Sequence, residues 1–170
     1  MVQKGVVAYY CDRIRSLIHK NPLANCFSLE EDVFEFNTTR KALNLLHYEN
    51  KEYFTMEESL QLLQVAEALQ SDFLLLYSQI YLGSEINADN VWNLLTKTHQ
   101  LKKEVLTKAC FAYLEENSFC DRIMDPKFNS IPSTILVEMA NFKWKWNEQE
   151  KNENLFRAFY RWTSSKFEQR

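Results

Sequence analysis

A chain of 170 residues can bury a core without disulfides or a structural metal. With 46% hydrophobic and 25% charged residues it reads as globular, which excludes a disordered polar tail. A net charge of −3, with basic residues only in short runs such as Arg40-Lys41 and Lys102-Lys103, argues against nucleic acid as the partner.

Two glycines and three prolines favour long helices over a turn-rich sandwich or barrel. Val6, Val7, Tyr10, Ile14, Leu17 and Ile18 recur at helical steps, which predicts one helix from Lys4 to His19, ended at Asn21-Pro22. Cys26 to Leu29 reads as a short strand, and Phe34 and Phe36 alternate with polar residues, as if to extend the sheet or to seat the next helix. Thr38 or Thr39 is placed to cap a helix carrying Ala42, Leu43, Leu45 and Leu46, and the polar stretch from Tyr48 to Phe54 connects.

Thr55 and Glu58 have the spacing of a capping box. The helix that follows, with Leu60, Leu62, Leu63, Val65, Ala66 and Leu69, is apolar on more than one side and should be central. Phe73 to Leu82 predicts another, stopped by Gly83. After Asn87–Asn90 come helices with Val91 to Leu95, with Leu101 to Leu114, and with Phe119 to Met124, the last ended by Asp125-Pro126. Phe128 and Ile131 plug a turn. Ser133 is placed to cap a helix with Ile135, Leu136 and Met139. Phe142 to Trp146 alternates, as a short extended linker or strand, and Asn154 to Lys166 closes the chain as a helix. The expected fold is mostly α with a small sheet, in two segments, 1–83 and 84–170.

No local pattern supplies catalysis. There is no phosphate-cradling glycine loop and no H-E-x-x-H, and His19, His47 and His99 are far apart. The expectation is therefore no catalytic, cofactor or metal residues, and no enzyme. Cys11, Cys26, Cys110 and Cys120 form no C-x-x-C pair and read as free thiols in a reducing compartment, cytoplasm or nucleus. The polar amphipathic stretch after Met1 does not read as a signal peptide, so none is expected, and no apolar run is long enough for a bilayer. Trp92, Trp144, Trp146 and Trp162, with Tyr9, Tyr10 and Phe142, are many large aromatics for this length. Most apolar residues should be core, and any aromatic left on the surface would mark a protein partner.

Three segments carry a resemblance in their shared order. Residues 3–18, Gln3-Lys4-Gly5-Val6-Val7-Ala8 onward, are similar to the BTB (POZ) segment H-K-x-V-L-A-x-x-S-x-Y-F-x-x-L-F. Phe34 to Tyr48 looks like the family's next helix, and Ser59 to Gln70 resembles N-V-x-x-L-L-x-A-A-x-x-L-Q. Beyond these, Asn90 to Leu95, Ala109 to Asn117, Phe128 to Leu136 and Glu153 to Trp162 resemble BACK, the helical partner of BTB in kelch-type proteins.

The resemblance implies a BTB-like domain without its opening strands, followed by a BACK-like bundle. It implies a protein-interaction adaptor that forms a homodimer or heterodimer through its N-terminal helix and grips a cullin ubiquitin-ligase scaffold. The implied seam residues are Val6, Tyr10 and Ile14, with Tyr9 beside them as a large aromatic that marks an interface, and the cullin-facing position is Leu23-Ala24-Asn25, where an amide replaces the family's acid. Tyr48 and Phe54, at the two ends of the polar connection, complete the candidate interface. The alternative is a non-catalytic scaffold in a transcriptional or chromatin complex.

Overall fold

The structure, a computed structural model, describes residues 4–24, 35–48 and 53–168. Every regular element among them is helical, and no strand occurs among the described residues. The expected strand at Cys26 to Leu29 lies outside them. Phe142 to Trp146 is a linker without strand pairing. By its contacts the chain divides into two compact units, Met1–Glu85 and Ile86–Arg170.

The first unit contains α1 (Lys4–Tyr10), α2 (Asp12–Lys20), α3 (Phe36–Tyr48), α4 (Met56–Leu69) and α5 (Asp72–Ser84). The single helix expected from Lys4 to His19 is two helices, because Cys11 is extended (φ −132°, ψ 106°). The break is held from both sides. Asp12 N donates to Gln70 O at 3.3 Å. The Arg15 guanidinium donates to Ala8 O and Tyr9 O at 2.9 and 2.8 Å, satisfying carbonyls at the end of α1 that a continuous helix would have used. Apolar spacing could not reveal this, since one extended residue leaves the buried stripe in place: Val7, Cys11 and Ile14 all pack on the same core.

The helix starts also depart from expectation at two places. Glu35, not Thr38 or Thr39, caps α3, its carboxylate accepting from Thr38 N at 2.7 Å. Thr38 is buried inside the helix, and its hydroxyl donates to Gln61 Oε1 at 2.8 Å, tying α3 to α4. At α4 the expected capping box is present: Thr55 Oγ1 accepts from Glu58 N at 3.2 Å, and Glu58 Oε2 accepts from Thr55 N at 2.8 Å. Glu58 also pairs with Lys41 of α3 at 2.7 Å. Gln70 in the left-handed region (φ 53°) ends α4, and Ser71 starts α5 by accepting from Leu74 N. Gly83 stops nothing, for α5 runs on to Ser84.

The core of this unit gathers Val7 and Cys11, Ala42, Leu45 and Leu46 of α3, and Phe54. It is completed by Leu62, Val65, Ala66 and Leu69 of α4 and Leu74 of α5. Helix α4 is buried round its circumference, from Ser59 and Leu60 to Leu69, which makes it the central element its sequence predicted.

The second unit contains α6 (Val91–Gln100), α7 (Glu104–Glu116), α8 (Phe119–Arg122), a 3-10 turn (Pro126–Ser130), α9 (Ser133–Asn141) and α10 (Glu148–Glu168). Its entry is an Asn turn in which Asn87 Oδ1 accepts from Asp89 N and Asn90 N, and Asn90 Oδ1 accepts from Asn87 N. Pro132, not Ser133, precedes the first turn of α9, with no side-chain cap. Helix α10 starts at Glu148, one turn and more before the expected Asn154, because Asn147 Oδ1 accepts from Glu150 N at 2.9 Å.

Trp92, Phe128, Leu95, Leu106, Leu114 and Ile135 are fully buried in this unit. Phe111, Phe119, Phe142, Trp144 and Trp146 pack ring against ring, and the two tryptophans stack at 4.2 Å. The Phe142–Trp146 linker is held to α7 by Glu115, which accepts from Lys145 N, and by Glu116, 2.9 Å from Lys145 Nζ. Among the described residues no helix is long and apolar enough to cross a membrane.

Candidate protein-interaction surface

Helix α5 carries Phe-Leu-Leu-Leu-Tyr-Ser-Gln-Ile-Tyr-Leu, apolar round most of its circumference. Only one side of such a helix can meet the core. Leu74 and Leu82 take that side and are wholly buried. Phe73, Leu76 and Ile80, three and four residues apart, are left together on the opposite side, 40%, 59% and 63% exposed. Tyr9 of α1 is 74% exposed.

Two of these exposed groups, Tyr9 and Phe73, are joined to the core by a chain of rings. Tyr9 meets Tyr10 edge-on at 5.0 Å, Tyr10 lies 5.2 Å from Phe73, Phe73 stacks on Tyr77 at 6.4 Å, and Tyr77 meets buried Phe54 at 6.1 Å. The innermost member is further fixed by Lys41 Nζ, 5.5 Å above the Phe54 ring, and by Tyr81, whose hydroxyl donates to Phe54 O at 2.7 Å. A surface built this way presents apolar area whose rotamers are already limited, which lowers the entropy lost on binding.

Among the sequence candidates, Val6, Tyr10 and Ile14 are half-buried, the latter two packed on the core cluster, and Tyr9 stands out to solvent. Leu23 is 91% exposed in the turn after α2, where the Lys4 ammonium donates to Ala24 O. Asn25 lies outside the described residues, as does the side chain of Tyr48 at the end of α3. Phe54 is a correction. It is 4% exposed and offers a partner nothing, because its ring fills the space between α3, α5 and the start of α4.

The structure adds Phe73, Leu76 and Ile80, which the sequence placed on a helix without marking them as exposed. The missed signal is the excess of apolar residues in α5 over what one buried face can hold.

The tryptophans are largely core. Trp92 and Trp144 are buried, and the indole N–H groups of Trp92, Trp144 and Trp162 donate to Arg122 O, Met139 O and Ile131 O. Burial pushes the Cys11 thiol up to about 11 and the Cys110 thiol up to about 12, which removes their thiolates at neutral pH. His99 ties α6 to α9, with Nε2 2.8 Å from Thr134 Oγ1 and Nδ1 3.2 Å from Glu138 Oε1. Among the described residues no group of three His, Cys, Asp or Glu side chains is placed to hold a metal ion. In sequence the chain matches no protein-family model and no curated protein.

Proposed function

We propose that the chain is a non-enzymatic protein-interaction adaptor, a BTB-like unit followed by a BACK-like unit. In this reading two copies, or a copy and a relative, pair through the first unit, and the helical remainder is presented to other proteins. The observation that carries the reading is the exposed stripe of Phe73, Leu76 and Ile80 beside Tyr9, anchored through Tyr10 to the core. Exposed apolar groups clustered on one face are what a partner buries. The segment order of the sequence supports the family and extends the proposal to a substrate adaptor of a cullin-type ubiquitin ligase.

Two measurements test it. Sedimentation of the intact chain gives a dimer that Ile80→Asp dissociates. Calorimetric titration with a cullin N-terminal region gives saturable heat. A folded monomer with no cullin heat would end the proposal.

A second reading is favoured by one residue. Asn25 stands where the resemblance puts an acid, so the cullin contact lacks its charge. The chain is then a scaffold of a transcriptional or chromatin assembly without a ligase. Dimerisation with no cullin heat selects this reading, and cullin heat removes it.

A further inference from the structure

The second unit contains a cleft of about 590 Å³ beside α10. Its wall includes Arg157, Arg161, Asn129 and Cys120, with Met124 and Tyr160 as apolar members and no carboxylate. Arg157 and Arg161 are one helical turn apart and so project from the same side of α10. Among the described residues neither forms an ion pair, in a chain whose net charge is −3.

Their hydrogen bonding is also incomplete. Arg161 Nη2 donates to Met124 O at 2.8 Å, and Arg157 Nη1 lies 3.7 Å from Cys120 Sγ. Arg161 Nε has no hydrogen-bond partner, and Asn129 Oδ1, an acceptor, has none either and could be met only by a donor such as a backbone N–H. Each Nη carries two N–H groups, so both guanidinium groups keep donors for an acceptor that enters the cleft.

Next to this basic wall runs an apolar ridge. Phe156 and Tyr160, also one turn apart, are stacked at 6.2 Å and are 70% and 66% exposed, and Met124 is 60% exposed. A bare inorganic anion would use the guanidinium groups and leave the ridge to water. A purely apolar ligand would strand the charges. An acidic residue flanked by an apolar one uses both, since guanidinium binds carboxylate in a bidentate fork and the rings cover the neighbour.

We propose that this cleft docks a short acidic segment of a partner protein, with a Glu or Asp carboxylate against Arg157 and Arg161 and an adjacent apolar side chain on Phe156 and Tyr160. It rests on the second unit alone, so it stands or falls independently of the pairing surface on the first.

The test is fluorescence polarisation of the intact chain with two labelled peptide pools. They share the same apolar positions and carry Glu in one pool and Gln in the other. The Glu pool binds at least about tenfold more tightly, and the difference shrinks as salt rises. Arg161→Glu and Arg157→Glu abolish the preference, and Tyr160→Ser weakens binding of the Glu pool. Arg161 also holds the Met124 carbonyl, so if Arg161→Glu fails to fold, the exposed Arg157→Glu decides. Equal binding of the two pools, an unchanged preference in folded Arg157→Glu, or sodium acetate alone binding as tightly as the Glu pool would overturn the proposal.

Discussion

The rings of Tyr10 and Phe73 lie 5.2 Å apart, and this contact joins the N-terminal helix to the exposed side of α5. It turns two weak features, a solvent-facing tyrosine on α1 and an over-apolar helix, into one surface. Tyr10→Ala removes the ring between Tyr9 and Phe73 and leaves both less fixed. The variant should stay folded, lose stability by about 1–3 kcal/mol, and bind its partner more weakly than that loss explains. Urea titration beside sedimentation separates the two effects.

Phe54 answers to a different mechanism. Its burial at 4% exposure against Tyr77 and Lys41 makes Phe54→Ala a cavity mutation costing about 3–5 kcal/mol. Chemical denaturation of the intact chain should show that loss, while Leu76→Asp, on the exposed side of α5, should cost less than about 1 kcal/mol when compared at concentrations too low for pairing.

Glu58 gives the first unit an acid-sensitive joint. The hydrogen bond from Lys41, and then that from Thr55 N, hold its carboxyl below the usual glutamate value. A carboxyl whose folded pKa is lowered adds stability that is present above its unfolded pKa and lost as pH falls through the folded value. Urea midpoints of the native chain and of Glu58→Gln should therefore be separated at neutral pH and converge as the pH drops below the ordinary glutamate range. Removing the other half of the box, Thr55→Ala, should cost about 1 kcal/mol at neutral pH.

The cysteines should label in a fixed order. Cys11 and Cys110 are fully buried with thiols raised by desolvation, whereas Cys120 is partly exposed on the cleft wall. In a Cys26→Ser background, iodoacetamide at mildly alkaline pH should modify Cys120 first, with Cys11 and Cys110 reacting only on unfolding. Mass spectrometry of the native and urea-treated chain reads this directly.

The helical class, the central place of α4 and the Thr55–Glu58 cap were legible because each depends on residues within one or two turns of each other. The break at Cys11 was not, since it is held by Gln70 O and by Arg15 reaching back to Ala8 and Tyr9, contacts that tertiary packing decides. Glu35 in place of Thr38 as a cap was missed for a related reason: the threonine hydroxyl is drawn to Gln61 on another helix. At the candidate surface, Tyr9 could be named from its position, but the choice between Leu74 and Leu76 for the core depends on how α5 is rotated against α4. Nothing in an evenly apolar helix fixes that rotation.

The most direct measurement is sedimentation velocity of the intact chain across a micromolar concentration range, run beside Ile80→Asp and Tyr9→Asp. The account predicts a concentration-dependent dimer for the native chain and a folded monomer for both variants. A native chain that stays monomeric throughout, or a dimer that neither substitution disturbs, would contradict it.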